Sequence, residues 1–427
     1  MIRKYGLLLA LFLIIQNTLI GYSGNFSQID YLADSKLCIL AIGNSFSEDA
    51  VENYLYDLCK EEGIEVVIGN MYIGGCTLEK HWNNLQGNND AYSYRKVIEG
   101  DKYVYKNVTL ESVINDEKWD IITFQQASGL SGIYTTYDPY LANLISWFRE
   151  NSEAQLWFHQ TWAYSQDSTH PDFANYDYNQ LTMYYAIVDA LKNVMADHQE
   201  LVNFIPSGTA IQNVRTSYLG DTLNRDGYHL ETTYGRYTAA CTWFEKLTGL
   251  DVRNDKYYPL SIDERQKETV QMAVHYAVMN PYEITDIPPI VYPSDILLNY
   301  NTVYLEQGET VQLEVEIAPE DTTDKTVSWE SSNENVAIVS ENGLVKAISS
   351  GLSVITATCG EVSDECYVNV LEDASLESLL SEPEKEISIY SPDGILIKKN
   401  CKVEDMKILN NGIYIIVSGK EHYKISI

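Results

Sequence analysis

"LCILAIGNSFSEDA", Leu37 to Ala50, runs apolar from Leu37 to Ile42, stops at Gly43 and passes at once into a helix-like segment. A strand that is apolar at every position has no face for water, so it belongs in the middle of a sheet covered on both sides. The turn Gly43-Asn44-Ser45-Phe46-Ser47 sets a serine at the carboxyl end of that strand, where open parallel sheets gather their ligands.

The same texture recurs from about Ser35 to Thr285. "KLCILAIG", "IEVVIGNMYI", "WDIITFQ", "AQLWFHQTW" and "VNFIPSG" are apolar runs separated by longer amphipathic segments. This alternation predicts an α/β domain over residues 35–287, a parallel sheet between helical layers. Its strand ends carry Ser45, Gly74 and Gly75, and Gln125 and Gln126. "SIDERQKETVQMAVHYAVMNP" reads as a closing helix, and the paired prolines of "DIPPIVYP" (Asp286 to Pro293) as a linker.

Beyond the linker the chain changes to short Val-, Ile- and Thr-rich runs with turns at "EQGET", "PEDTTDKT", "SSNEN" and "SENG". Residues 292–371 are therefore expected to form an all-β sandwich. They hold 14 acids against 2 lysines, read as a solvated face, since no calcium-loop spacing occurs. Residues 384–427 alternate strands and turns again, with 7 lysines and 6 acids, as a small separate β-domain.

The chain has 427 residues and a net charge of -32. Such a charge repels phosphate backbones and so disfavours nucleic-acid binding, and no nucleic-acid partner is expected. Arg3 and Lys4 precede an apolar run from Tyr5 to Ile15, which is too short to span a bilayer and fits a signal peptide over residues 1–23. The expected location is outside the cytoplasm: periplasmic, cell-surface or secreted. Among the seven cysteines the best disulfide candidate is Cys359 with Cys366 across a hairpin turn, against the alternative of two separate thiols. No H-x-x-x-H or clustered acid spacing points to a metal, and no cofactor is implied.

A serine hydroxyl attacks only when a base takes its proton, usually a histidine oriented by a carboxylate. Of the seven histidines, His229 sits in the polar stretch "NRDGYHLE" with Asp226 three residues before it. That spacing lets the carboxylate reach Nδ1 and leaves Nε2 for the serine. Taken alone, a D-x-x-H pair is more often an ordinary surface pair. An attacked carbonyl also needs donors for its oxyanion. The backbone N–H of Gly75 in "IGGCT" and the side-chain amide of Gln125 in "FQQASG" are the candidates, with Gly74 and Gln126 as competitors. Trp82, Trp162, Tyr164 and Tyr228 lie near strand ends or motifs and are candidate sugar contacts, although core packing is the commoner fate of such residues. His159 reads as a satisfied structural histidine, and Thr232 or Thr233 as the cap of the helix after His229.

These blocks resemble those of the SGNH-type hydrolases. "GNSFS" is similar to the first block and implies Ser45 as nucleophile. "GGCT" is similar to the glycine block and implies Gly75 as a backbone donor, and "DGYH" to the D-x-x-H block, implying Asp226 and His229. In place of the usual G-x-N-D stands "FQQAS", nearer the "Q-G-E-S" form of the sialate-O-acetylesterase-like and carbohydrate-esterase branches, which implies Gln125. Together "GNSFS", "WDIITFQQASG" and "RDGYH" resemble an exported SGNH subfamily of Gram-negative bacteria. The implied fold is a flavodoxin-like α/β/α sandwich. Residues 292–371 resemble a bacterial Ig-like group 2 domain through "W-x-S-S-N", "G-L-V-K-A" and "G-x-x-x-I-T-A". Residues 384–427 resemble a type IX secretion C-terminal sorting domain, implying the secretion machinery as a partner.

The resulting expectation is a serine esterase acting on acylated carbohydrate, with Ser45, Asp226 and His229 catalytic, and Ser45, Gly75 and Gln125 forming the oxyanion hole. The alternatives are a lipase or thioesterase of the same type, or a carbohydrate-binding or adhesion protein without activity.

Overall fold

The computed structural model describes residues 36–371, 379, 381–419 and 421–427. The expected signal peptide lies outside the described residues. The chain divides into two compact units, one ending at Pro289 and the other beginning at Ile290.

The first unit is built on a seven-stranded sheet. Its strands are β1 (Leu37–Gly43), β2 (Val66–Tyr72), β3 (Tyr92–Ile98), β4 (Asp101–Val108), β5 (Ile121–Phe124), β6 (Gln155–His159) and β7 (Leu201–Ile205), in the order β4-β3-β2-β1-β5-β6-β7. β2, β1, β5, β6 and β7 run parallel. β3 and β4 form an antiparallel hairpin on the edge, an addition that the sequence pattern did not disclose. Stripped of that hairpin, the order is the doubly wound arrangement of flavodoxin-like folds. The chain leaves β1 in one direction to make β2 and returns past it to make β5. The crevice at the carboxyl ends of β1 and β5 is thus the point where the winding reverses.

All seven residues of β1 are buried, because alternate side chains point into two different cores. Leu37, Ile39 and Ala41 pack with α1 (Ser45–Val51), α2 (Leu55–Glu61), α6 (Ser207–Arg215), α7 (Tyr234–Thr248) and α8 (Glu264–Met279). Cys38, Leu40 and Ile42 pack with α3 (Leu78–Gln86), α4 (Tyr140–Asn151) and the second half of α5 (Gln180–Asp197). This is the three-layer α/β/α sandwich, and the double-sided burial explains the unbroken apolar run.

In the second unit, residues 295–370 form nine short strands with a core that includes Ile296, Leu313, Val345, Ile355 and Val368. Cys359 pairs with Val362 across the hairpin and Cys366 pairs with Ile355, so the two cysteines sit four positions apart along the ladder, roughly 13 Å at strand rise. Both are free thiols, which corrects the disulfide expectation. Residues 386–426 make a separate four-stranded antiparallel sheet around Ile389, Val403 and Ile416.

Candidate active site

β1 ends at Gly43, and Asn44 caps α1 by accepting the Phe46 N–H on its side-chain oxygen at 3.0 Å. Gly43 is required by space: a Cβ there would lie 2.5 Å from Ser47 Oγ and 2.9 Å from Gln125 Cδ. The two serines of the turn have different fates. Ser47 is buried, and its hydroxyl is committed to Asn44 O at 2.7 Å and Asn70 Oδ1 at 2.8 Å. Ser45 opens α1 half-buried, and its hydroxyl has no hydrogen-bond partner among the described residues.

Asp226 and His229 are brought together as the spacing suggested. Asp226 Oδ2 lies 2.6 Å from His229 Nδ1, while Oδ1 accepts the backbone N–H groups of His229 at 2.8 Å and Tyr228 at 3.3 Å. Partial burial raises the pKa of this carboxyl, but the donors from His229 and Tyr228 outweigh it and hold the group below the ordinary carboxylate range. The His229 ring sits 6.1 Å from the ring of Phe46, the neighbour of Ser45. Among the described residues no hydrogen bond joins Ser45 to His229.

The loop that carries this pair is fastened on two sides. Trp162 stacks on Phe46 at 4.2 Å and donates its indole N–H to Tyr228 O at 2.8 Å. Ser165 N–H binds Gly227 O at 2.9 Å. From the other side the buried Asp49 of α1 accepts the Leu230 N–H at 2.8 Å and pairs with Arg225 and Arg236. Neither Trp162 nor Asp49 was assigned this part from the sequence, because their partners lie 66 and about 180 positions away. Glu231, and not a threonine hydroxyl, supplies the acceptor at the start of α7: its carboxylate takes the Thr233 and Gly235 N–H groups.

The glycine turn after β2 is exposed, and Gly75 has a φ of +60° with open space around it. Among the described residues neither the Gly74 nor the Gly75 N–H has a partner. Asn44 Nδ2 donates to Cys76 O at 3.1 Å, which ties this turn to the serine turn.

The two glutamines are separated by their partners. Gln126 is used up: its oxygen accepts Leu78 N–H and Ala127 N–H, and its NH2 donates to Thr136 O and Oγ1. Gln125 faces the serine turn, with Nε2 2.9 Å from Asn44 Oδ1. One hydrogen of that NH2 remains unassigned. Since Gln125 donates to Asn44, its oxygen accepts from His159 Nδ1 at 2.8 Å, and His159 Nε2 accepts from Ser207 at 3.0 Å. Burial pushes the His159 pKa down to about 3, so the ring is neutral and acts as a fixed strut.

Two of the four candidate sugar contacts are corrected. Trp162 and Tyr164 are fully buried, their rings spent on packing behind the site. Trp82 and Tyr228 are half-buried; Tyr228 lies 4.1 Å from His229 and 4.7 Å from His170, ring to ring. Away from the site, the fold gathers Glu245, Asp251 and His275 closely enough to hold a metal ion. These side chains already have partners, His275 Nδ1 lying 2.8 Å from Glu245 Oε1 and Arg253 pairing with Asp251 at 2.5 Å.

Comparison with known proteins places these observations. The profile of the domain of unknown function DUF4886 matches residues 38–277, and that of the bacterial Ig-like domain (group 2) matches residues 295–370. The crystal structure of a DUF4886 family protein from Bacteroides uniformis is 52% identical, with a TM-score of 0.58, covering 59% of this chain and 98% of that one. A putative SGNH hydrolase from Slackia heliotrinireducens is 20% identical, with a TM-score of 0.36, covering 50% and 100%. A 3-O-α-D-galactosyl-α-L-arabinofuranosidase from Bifidobacterium longum subsp. longum is 42% identical over 73 residues, 16% of this chain. The chain spans between 6% and 20% of the length of the first curated relatives it matches. With its serine turn, glycine turn and D-x-x-H loop all inside the matched region, which covers more than half its length, the chain belongs to the DUF4886 family.

Proposed function

We propose that the protein is an exported serine esterase that removes O-acetyl groups from carbohydrate through an acyl-enzyme. The observation that carries the reading is the Asp226–His229 pair, closed at 2.6 Å, whose imidazole lies 6.1 Å from the ring of Phe46, the residue after Ser45 at the winding reversal of the sheet. Ser45 Oγ attacks the ester carbonyl and passes its proton to His229 Nε2. Asp226 keeps the proton on Nδ1 and favours the imidazolium that forms. The N–H groups of Ser45 and Gly75 and the amide of Gln125 receive the oxyanion. Collapse expels the sugar alkoxide, which takes the proton from His229. A water activated by His229 then releases acetate and restores Ser45.

The carbohydrate part is supported by the names of relatives that share short stretches with this chain, one of them an arabinofuranosidase and another an N-acetyl-α-D-galactosamine deacetylase. Export is supported by the leader-like start of the sequence. By its resemblance to a sorting domain, the segment 384–427 addresses the secretion machinery.

The absent Ser45–His229 hydrogen bond favours a second reading, an inactive carbohydrate-binding module, although such bonds often tighten only when substrate arrives. Acetate release from a panel of acetylated polysaccharides, with Ser45→Ala and His229→Ala run beside the wild type, decides between them. Release that depends on both residues supports the esterase. Binding without release supports the module, and release that survives both substitutions refutes the mechanism.

A further inference from the structure

We propose that Asp49 is a positioning residue that sets the base against the nucleophile; the proposal rests on the esterase reading above. Ser45 and Asp49 stand four residues apart on α1, so they share one face of a single helical turn. The Asp49 side chain is wholly inaccessible to solvent. A buried carboxylate is tolerated only when its charge and lone pairs are met, and here every partner comes from around His229. Leu230, the next residue, donates its backbone N–H to Oδ2 at 2.8 Å. Arg225, just before Asp226, places Nη1 3.1 Å from both oxygens and also donates to Leu230 O. Arg236, in the first turn of α7, binds Oδ1 through Nε at 2.8 Å and Nη2 at 2.7 Å.

The carboxylate therefore grips the Asp226–His229 span by the residues at its two ends. The backbone closes the same span, Arg225 N–H to His229 O at 3.0 Å and Glu231 N–H to Leu223 O at 2.7 Å. One helical turn carries the attacking hydroxyl at its start and the anchor of the base loop at its end. Displacing the anchor changes the Ser45 to His229 separation without touching the substrate, so the loss belongs in kcat and in serine activation and not in KM.

The test uses the full-length chain and three variants, Asp49→Asn, Arg225→Met and the double variant. Turnover of 4-nitrophenyl acetate and the rate of Ser45 labelling by a fluorophosphonate are measured per folded molecule, with folding scored by circular dichroism. Both single variants are expected to lose at least tenfold in kcat and in labelling rate, with KM within twofold. The double variant is expected to lose less than the product of the two single losses, since either substitution already breaks the Arg225–Asp49 pair. Unchanged kcat and labelling in folded single variants, or a loss confined to KM, overturns the proposal. If Asp49→Asn does not fold, Arg225→Met decides by the same thresholds. A wild type that is neither labelled nor more active than Ser45→Ala removes the esterase reading and this proposal with it; an active wild type with unaffected variants overturns this proposal alone.

Discussion

His229 Nδ1 lies 2.6 Å from Asp226 Oδ2, and the backbone N–H of the same histidine lies 2.8 Å from Oδ1. One carboxylate thus fixes both the tautomer of the ring and the backbone that carries it. Replacing Asp226 by Asn keeps the shape but removes the acceptor charge, and the expected loss in kcat is roughly 10²–10⁴-fold, the range of a general base made ineffective. Stability gives an independent check. The Asp226 pKa is held below its ordinary value of 3.8, so its contribution is present above that value and fades as pH falls through the lower folded value. Urea unfolding should show the wild type more stable than Asp226→Asn at pH 7 and 5, with the gap closing below pH 3.8. A gap that persists in acid would contradict the hydrogen-bonding account.

The two glycine positions at the site should fail differently. A Cβ on Gly43 meets Ser47 and Gln125 at under 3.0 Å, and both are buried side chains held by hydrogen bonds. Gly43→Ala is therefore expected to destabilise the first unit by about 1–3 kcal/mol, as overpacked cores do. At Gly75 there is nothing to strike, and the penalty is only the left-handed backbone, about 1–2 kcal/mol. Because Gly75→Ala relieves that strain by rotating the peptide, it should also lower kcat. Chemical denaturation paired with ester turnover distinguishes the two, and equal turnover in wild type and Gly75→Ala would move the oxyanion role to Gly74.

The sheet was legible because burial on both faces leaves a mark on every residue of Leu37 to Ile42, and the Asp226–His229 pair because its members are three residues apart. The edge hairpin was missed: β4 is exposed at nearly every position and therefore carries no burial pattern to read. Trp162 resembled a binding aromatic in sequence, and only its stacking on Phe46 shows where the ring is used. Asp49 was visible as an acid behind the serine, but nothing local says that its partners are Arg225, Leu230 and Arg236. Choosing between Gln125 and Gln126 likewise needed their hydrogen bonds, since adjacent residues at a strand end point in opposite directions.

That difference between the glutamines can be measured. Gln126→Ala strands the N–H groups of Leu78 and Ala127, and each unsatisfied buried group costs about 1–3 kcal/mol. The expected result is a clear fall in the unfolding midpoint with kcat per folded molecule within twofold of wild type. Gln125→Ala should lower kcat roughly 10²–10³-fold, the range for loss of one oxyanion donor. The reverse assignment of kinetic and stability effects would exchange the two roles.

His81 and His159 predict the acid limit of the first unit. Both are fully buried, and burial pushes each pKa down from 6.5 to about 3. His81 is held by Tyr92 OH at 2.9 Å through Nδ1, and its Nε2 has no hydrogen-bond partner among the described residues. In the unfolded chain each ring takes a proton below pH 6.5, whereas the folded chain refuses it until about pH 3. Each histidine therefore removes stability as pH falls through that window, by up to about 1.4 kcal/mol per pH unit. Unfolding can be followed by fluorescence, since six of the seven tryptophans precede Pro289. Between pH 6 and 4 the wild type should lose stability steeply, and His81→Gln should lose it with a slope smaller by about one proton. Parallel slopes for the two proteins would mean that His81 is protonated in the folded state, and that its burial does not govern the acid behaviour.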